Sequence, residues 1–295
     1  MKLTVGTPLW VAARVLLAAR VDDFIGRWKK VLKTFDVEDV HDLRVSSQRL
    51  REGLLLFMPV YPPDVSRAAR MVRKVTRLLG GMRNTDEALI FFREMGCTLG
   101  EVAAEPLAPL MAGLEARRQD ECNRLRKGLT ALDPADARDF FTRTAARPLI
   151  FPRPGIPVDP FTPIASFAAV SLEERLATLL ALVPAARVEA DVAAQHKLRI
   201  ALKHYRYRLE ILSFLIGQGY AELHATVKRY QEILGTMNDL DVFAAMVREG
   251  GLPSAGECVI LNAIAARRGR LYANFAEMLT TCPLEGVGDG VRRAL

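Results

Sequence analysis

Residues 40–51 read VHDLRVSSQRLR, and residues 195–210 read QHKLRIALKHYRYRLE. The second stretch repeats the first at an offset of 155 residues. Continued through residues 79–86, this offset gives ten identities in 46 aligned positions, against about three expected from average residue usage. The chain is therefore predicted to be a tandem of two related units. Three identical pairs anchor the alignment: His41 and His196, Arg44 and Arg199, Arg51 and Arg206.

Apolar residues recur at three- and four-residue steps through most of the chain, which is typical of amphipathic helices. No hairpin signal or alternating strand pattern competes with this period. The sequence therefore predicts an all-α protein in which each unit is a four-helix bundle. The predicted helices lie near residues 8–34, 37–58, 64–95, 104–131, 168–183, 186–216, 219–249 and 254–281.

A proline-rich segment separates the two units. Residues 147–163 contain six prolines, which the interior of a helix does not tolerate. We therefore predict a linker at 147–165 between a first bundle at 1–146 and a second at 166–295. A bundle of this size can bury its own core, so the two are expected to be lobes of one domain, packed face to face.

The repeated stretch separates its charges from its apolar residues. At about 100° per residue, the histidines and cations fall on one strip of the helix and the leucines on another. Like charges one turn apart repel each other by a few tenths of a kcal/mol, so this strip predicts an anionic partner. The predicted anion-binding residues of these two helices are His41, Arg44, Arg51, His196, Arg199, Lys203 and Arg206.

The next helix of the first unit carries a second basic strip, formed by Arg67, Arg70, Lys74 and Arg77, with Arg73 adjacent. Its counterpart in the second unit is basic only in the middle, so the two units are not equivalent. That counterpart consists of Glu222, Ala225, Arg229 and Glu232, with Lys228 adjacent. From the two strips we add Arg70, Lys74, Arg77, Lys228 and Arg229 to the predicted site.

Composition narrows the class of protein. The chain has 41 Lys and Arg against 34 Asp and Glu, a net charge of +7 that favours an anionic partner. Its four cysteines lie far apart and predict reduced thiols, with no disulfide frame and no metal site. No apolar run approaches the ~20 residues of a membrane span, and no secretory signal is evident. A cytoplasmic protein without a cofactor is expected.

The two repeated stretches closely resemble the signature of the CHAD family, the conserved-histidine α-helical domain. Residues 78–86 (LLGGMRNTD) and 233–241 (ILGTMNDLD) resemble the Leu-Gly-x-x-(Arg/Asn)-Asp turns of that family. The resemblance covers nearly the whole chain. It implies two four-helix bundles related by pseudo-twofold symmetry, with a basic groove or pore between them. It also implies binding of inorganic polyphosphate, often at polyphosphate granules, where granule-associated proteins would be further partners.

The chain departs from the family pattern in two places. Gln48 stands where the second copy has Lys203, and Arg83-Asn84 replaces the more usual Arg-Asp. Many relatives also carry a triphosphate-tunnel domain built from strands with alternating glutamates. This sequence has no Glu-x-Glu-x-Lys run, so that enzymatic half is absent from it.

Two other functions compete with polyphosphate binding. A metal-dependent phosphohydrolase would need more His and Asp ligands around the lone His41-Asp42 pair, so we expect a protein that is not an enzyme. Sequence-independent binding of a nucleic-acid backbone suits the same cations and stays as the alternative. Aromatic residues make up only 7% of the chain, and Tyr205 and Tyr207 are too few for a base-stacking platform.

Asp86 and Asp241 each follow a glycine-containing segment that we interpret as a helix break. Each aspartate is predicted to cap the following helix, a contribution of about 1 kcal/mol. The alternative is an ion pair with Arg44 or Arg199 that would hold the arginine in place. Tyr207 and Met237 are predicted to be packing residues.

Overall fold

The computed structural model describes residues 2–151, 155 and 158–295, and every regular element in them is helical. No strand forms in these ranges, which confirms the all-α class. The first half contains α1 (Leu9–Thr34), α2 (Val37–Leu56), α3 (Asp64–Leu99), α4 (Glu101–Thr130) and α5 (Pro134–Ala145). The second half contains α6 (Ile164–Leu180), α7 (Val183–Ala186), α8 (Val192–Ile216), α9 (Tyr220–Glu249), α10 (Ser254–Thr281) and α11 (Leu284–Ala294).

The periodicity located the long helices to within six residues but missed α5, the four-residue α7 and α11. Helix α5 has a start signal, because the carboxylate of Asp133 accepts a hydrogen bond from the Ala135 N–H and Pro134 opens the helix. Helix α11 has three glycines at alternate positions, which lower its helix propensity. Helix α6 begins at Ile164, inside the predicted linker, and residues 152–154 and 156–157 of that linker lie outside the described part of the chain.

The two halves repeat the same order of packing. Helices α1 to α4 pack as successive neighbours, and the short α5 returns against α1 and α3. In the second half α6, α8, α9 and α10 follow the same order, and α11 returns against α6 and α9. Each half therefore has four long helices and a shorter one that returns against them, and the second half also has the four-residue α7.

The starts of the two halves meet in a symmetric backbone contact. The Leu9 N–H donates to the carbonyl of Thr162, and the Ile164 N–H donates to the carbonyl of Thr7, each at 2.9 Å. The two segments lie 155 residues apart in the sequence, which is the offset of the repeat. This reciprocal pair places the two halves in a local twofold relation.

Two hydrophobic clusters cross between the halves. The larger one joins α1, α2 and α3 to α6, α8 and α9 and includes Trp28, Leu43 and Leu198, all fully buried. The second lies at the far ends of α3, α4, α9 and α10, where the Phe91 and Phe243 rings stack at 4.5 Å. Before the second cluster, one face of α3 within residues 73–81 borders an open space between the halves.

The predicted caps at Asp86 and Asp241 are wrong, because α3 and α9 run through both segments without a break. The proposed pairing with Arg44 and Arg199 is also wrong. Arg118 Nε donates to Asp86 Oδ1 at 2.5 Å, and Arg268 Nε donates to Asp241 Oδ1 at 2.5 Å. These ion pairs hold α3 against α4 and α9 against α10 at matched positions of the repeat.

Candidate functional site

A cavity of about 350 Å³ opens between the halves, bounded by α2, α3 and α8. Its cations far outnumber its acids. Glu52 is the only carboxylate among the lining residues, and it is already bound by His204 and Arg208. The positive charge of the lining is therefore left uncompensated. The lining cations are Arg44, Arg51, Arg73, Arg77 and Lys203.

Arg44 is held at the cavity wall with a donor to spare. Its Nη1 donates to the carbonyl of Thr76 at 3.3 Å, and its buried Nε has no hydrogen-bond partner in the described structure. The Nε of Arg199, at the matched position of α8, is likewise buried and unpartnered. An unmatched buried donor costs about 1–3 kcal/mol, which a ligand oxygen would recover.

Gly80 makes room for the Arg44 guanidinium. A Cβ at this position would lie 3.0 Å from Arg44 Nη1, whereas a Cβ at the matched Gly235 would meet nothing within 4 Å. The glycine that the sequence suggested as a helix break thus serves the close approach of an arginine to the α3 backbone.

Lys203 carries the clearest electrostatic signature of the site. Burial, the largest cause, and the charges of Arg199, Arg44, Arg51 and Arg206 together lower the pKa of its ammonium to about 8. Arg199 does not line the cavity, but its charge reaches Lys203 and Arg44. A bound polyanion would reverse this shift, because it favours the charged amine.

Arg206 is held by protein groups instead. Its Nη1 contacts Glu210 Oε1 at 2.5 Å, and its Nε donates to Gln231 Oε1 at 2.8 Å. Glu210 also binds Arg49 at 2.7 Å and His224 at 3.0 Å. Burial opposes the ionisation of Glu210, but the surrounding cations outweigh it and keep the pKa of that carboxyl below its usual value.

Polar contacts also join α2 to α8. Glu52, only 1% exposed, accepts from Arg208 Nε at 2.8 Å and lies 2.6 Å from His204 Nδ1. The Tyr207 hydroxyl donates to Gln48 Oε1 at 2.6 Å. Tyr207 is buried as predicted, yet it also lines the cavity, so packing is not its only contact. Met237 is buried.

The structure brings some of the predicted site residues together and leaves others apart. Arg44, Arg51, Arg77 and Lys203 line the cavity. His41 is partly buried outside it, and the exposed His196 donates from Nδ1 to Asn238 Oδ1 at 2.6 Å. Exposed positions outside the cavity hold Arg70, Lys74, Lys228 and Arg229. Whether any of these residues contacts a ligand stays a prediction.

Three residues of the site were missed by the sequence prediction. Arg73 lines the cavity, although its helical position makes it only a neighbour of the basic strip. Arg83 lies near Arg44 and Arg199. Burial is the largest cause that lowers the pKa of each guanidinium, and the charge of Arg83 lowers it further. His204 lines the cavity beside Lys203. It aligns with Arg49, so the only feature of the sequence that could have identified it is a basic residue at this position in both copies of the repeat.

The described residues hold neither a candidate metal cluster nor a candidate membrane span. They contain no group of three or more His, Cys, Asp or Glu side chains arranged to hold a metal ion. None of their helices is long and apolar enough to cross a membrane. All four cysteines are free thiols.

Comparison with known proteins identifies the family. The CHAD domain model matches residues 15–248. The crystal structure of the CHAD domain from the plant Ricinus communis is similar, with 25% identity, a TM-score of 0.64 and coverage of 99% of this chain and 94% of that one. PptA from Streptomyces chartreusis shares the fold at 18% identity, with a TM-score of 0.63 and coverage of 98% and 99%. No curated protein matches. Because the family model spans both copies of the repeat and the cavity between them, the chain belongs to the CHAD domain family.

Proposed function

We propose that this protein binds inorganic polyphosphate, without chemically altering it, in the basic cavity between its two halves. The observation that carries the proposal is the cluster of uncompensated cations around Lys203, with a spare buried donor on Arg44. CHAD domains are known in polyphosphate-associated proteins, which supports this choice of anion.

The chemistry of the lining suits a phosphate chain. Polyphosphate is a flexible polyanion, so its binding should follow the electrostatics of nucleic-acid backbones. Arginine offers planar, paired donors to phosphate oxygens, and lysine offers a point charge. Several cations on different helices can hold successive phosphates without any sequence to read.

Binding without catalysis is supported by the contacts that Glu52, the carboxylate of the cavity lining, already makes. The carboxylate of Glu52 is engaged by His204 and Arg208, so it is not free to act as a general base. Association with polyphosphate granules in the cytoplasm, with granule proteins as neighbours, belongs to the same proposal.

Calorimetry with polyphosphate at moderate salt tests the proposal. Wild type is compared with Arg44→Ala/Lys203→Ala, which removes two lining cations, and with Arg248→Ala/Arg270→Ala, which removes two exposed cations elsewhere. We expect the first variant to lose about 100-fold in affinity, since a hydrogen bond to a charged group is worth about 1.5–3 kcal/mol. The second should change it by less than about threefold.

Competition with double-stranded DNA at the same salt separates polyphosphate from nucleic acid. We expect excess DNA to leave bound polyphosphate in place. If DNA displaces it and both variants bind like wild type, the cavity is not the site, and backbone binding by a generic basic surface replaces the proposal.

A further inference from the structure

One face of α3 carries a row of unpaired cations. Arg67, Arg70, Lys74 and Arg77 follow each other at steps of three and four residues. With a rise of 1.5 Å per residue, the row is about 15 Å long. None of the four forms an ion pair with another described residue, whereas Arg49, Arg206, Arg208 and Lys228 each do. We call this row the α3 track.

The α3 track connects two cavities. Arg77, at one end, lines the cavity between the halves. At the other end the Arg67 guanidinium lies over the Phe140 ring, 5.3 Å from its centroid. Phe140 lines a second cavity of about 270 Å³, where α5 meets the start of α3. That second cavity is also lined by Arg143 and Arg147, with Asp64 as the one acid among its lining residues.

The matched face of α9 offers no such path. Its four positions are Glu222, Ala225, Arg229 and Glu232, with an acid at each end. The neighbouring Lys228 is itself paired with Glu232 at 3.4 Å. A polyanion leaving the central cavity would therefore meet cations along the first half and carboxylates along the second.

We propose that a long polyphosphate chain leaves the central cavity along the α3 track and reaches the second cavity beside α5, on the first half only. This inference rests on the proposed function, because it takes polyphosphate in the central cavity as its starting point. It assigns an additional phosphate-binding surface, formed by the α3 track with Arg143 and Arg147, and gives the bound polymer one direction of exit.

The track should matter only to long chains. A chain anchored in the central cavity meets the track at a high effective concentration, so even weak contacts there add to its affinity. A short oligophosphate that fits within the central cavity does not reach Arg70, and its affinity should be indifferent to the track.

The test compares tripolyphosphate with long-chain polyphosphate by calorimetry over a range of salt. Arg70→Gln/Lys74→Gln removes two exposed charges of the track, and Lys228→Gln/Arg229→Gln removes two from the matched face of α9. Arg248→Gln/Arg270→Gln serves as a charge-matched variant away from both faces. We expect only the first variant to lose long-chain affinity, by about tenfold, with a salt slope smaller by about 2. Tripolyphosphate affinity should stay within about twofold for all three.

The outcomes separate this inference from the proposed function. If the track variant binds long chains as tightly as wild type, or if the α9 variant loses as much, the one-sided exit is wrong while binding in the cavity stands. If wild type binds neither ligand, the proposed function fails, and the inference fails with it. Asp64→Asn gives an independent check, since removing the acid of the second cavity should tighten long-chain binding and leave tripolyphosphate unchanged.

Discussion

In the two halves, the arginines at one matched position of the repeat have different partners. Arg51 and Arg206 occupy matched positions of the repeat, yet Arg51 has no ion pair in the described structure, whereas Arg206 is held by Glu210 and Gln231. The position matching Glu210 in the first half is Leu55. The acid at this position supplies the ion pair that distinguishes the structural Arg206 from the free Arg51.

The same contrast recurs one helix further on. Arg77 lines the cavity in the first half, and its counterpart Glu232 binds Lys228 in the second. The first half therefore supplies most of the free charge, and the second supplies most of the polar framework that holds it. A duplicated residue keeps its type more readily than its role, because the role depends on which charge lies beside it.

The largest expected effect concerns the contact between α2 and α8. Glu52→Gln leaves His204 and Arg208 without their carboxylate in a buried setting, so the free energy of unfolding should fall by about 3–5 kcal/mol. Denaturant unfolding measures it. Glu173→Gln, which breaks an exposed pair with Arg292, should cost less than about 1 kcal/mol. Equal unfolding midpoints for the two variants would contradict this account.

Acid should weaken the same contact. Burial opposes the ionisation of Glu52, but His204 and Arg208 outweigh it, so the pKa of its carboxyl lies below the usual value. A depressed folded-state pKa stabilises the protein above the unfolded-state value, and this stability is lost as pH falls through the folded pKa. The difference in unfolding free energy between Glu52→Gln and wild type should therefore become smaller as the pH falls below about 4.

The second prediction sets Arg51 against Arg206 directly. Arg51→Ala should weaken polyphosphate binding by about tenfold or more and leave stability within about 0.5 kcal/mol. Arg206→Ala should do the reverse, lowering stability by about 1–3 kcal/mol through the loss of its contacts with Glu210. Calorimetry and thermal unfolding of both variants measure the two effects. If both variants lose affinity equally, the distinction between free and structural arginines is wrong.

The third prediction concerns Lys203, where the first half has Gln48. Because its pKa in the free protein is about 8 and a polyanion raises it, affinity should fall about tenfold from pH 7 to pH 9. Proton uptake on binding, measured by calorimetry in buffers of different ionisation enthalpy, checks the cause. Lys203→Gln should lose most of this pH dependence; a variant that kept all of it would place the titrating group elsewhere.

The buried charge of Lys203 should also lower the free energy of unfolding. Its folded pKa is below that of the unfolded chain, so between about pH 8 and 10.5 the unfolded state binds more protons and stability rises with pH. At neutral pH, where both states are charged, Lys203→Gln should stabilise the free protein by about 1–3 kcal/mol. Denaturant unfolding at pH 7 tests this, and a destabilised variant would contradict it.

The smallest effect compares two glycines. Gly80→Ala and Gly235→Ala should gain similar helix propensity, about 1 kcal/mol. Only the first would press on Arg44, whose Nη1 would lie 3.0 Å from the new Cβ. We expect polyphosphate affinity to fall about two- to threefold for Gly80→Ala and to be unchanged for Gly235→Ala. Identical affinities would mean that the guanidinium moves aside at no cost.

The sequence by itself determined the all-α class, the repeat and most helix bounds. Each of these depends on local information: the period of apolar residues, the prolines of 147–163 and the identities at an offset of 155. It also placed Arg44, Arg51, Arg77 and Lys203 in one site. Each of these cations shares a helix face with other basic residues at steps of three and four, and this local spacing was enough to select them.

Only the tertiary structure decided which cations are free. Asp86 and Asp241 bind Arg118 and Arg268 on a neighbouring helix, and Glu210 binds Arg206. Helical spacing says which side chains share a face of one helix, but not which acid a second helix brings within 3 Å of them. Charge is a property of the residue, whereas its compensation depends on contacts between helices, and those contacts are set by packing.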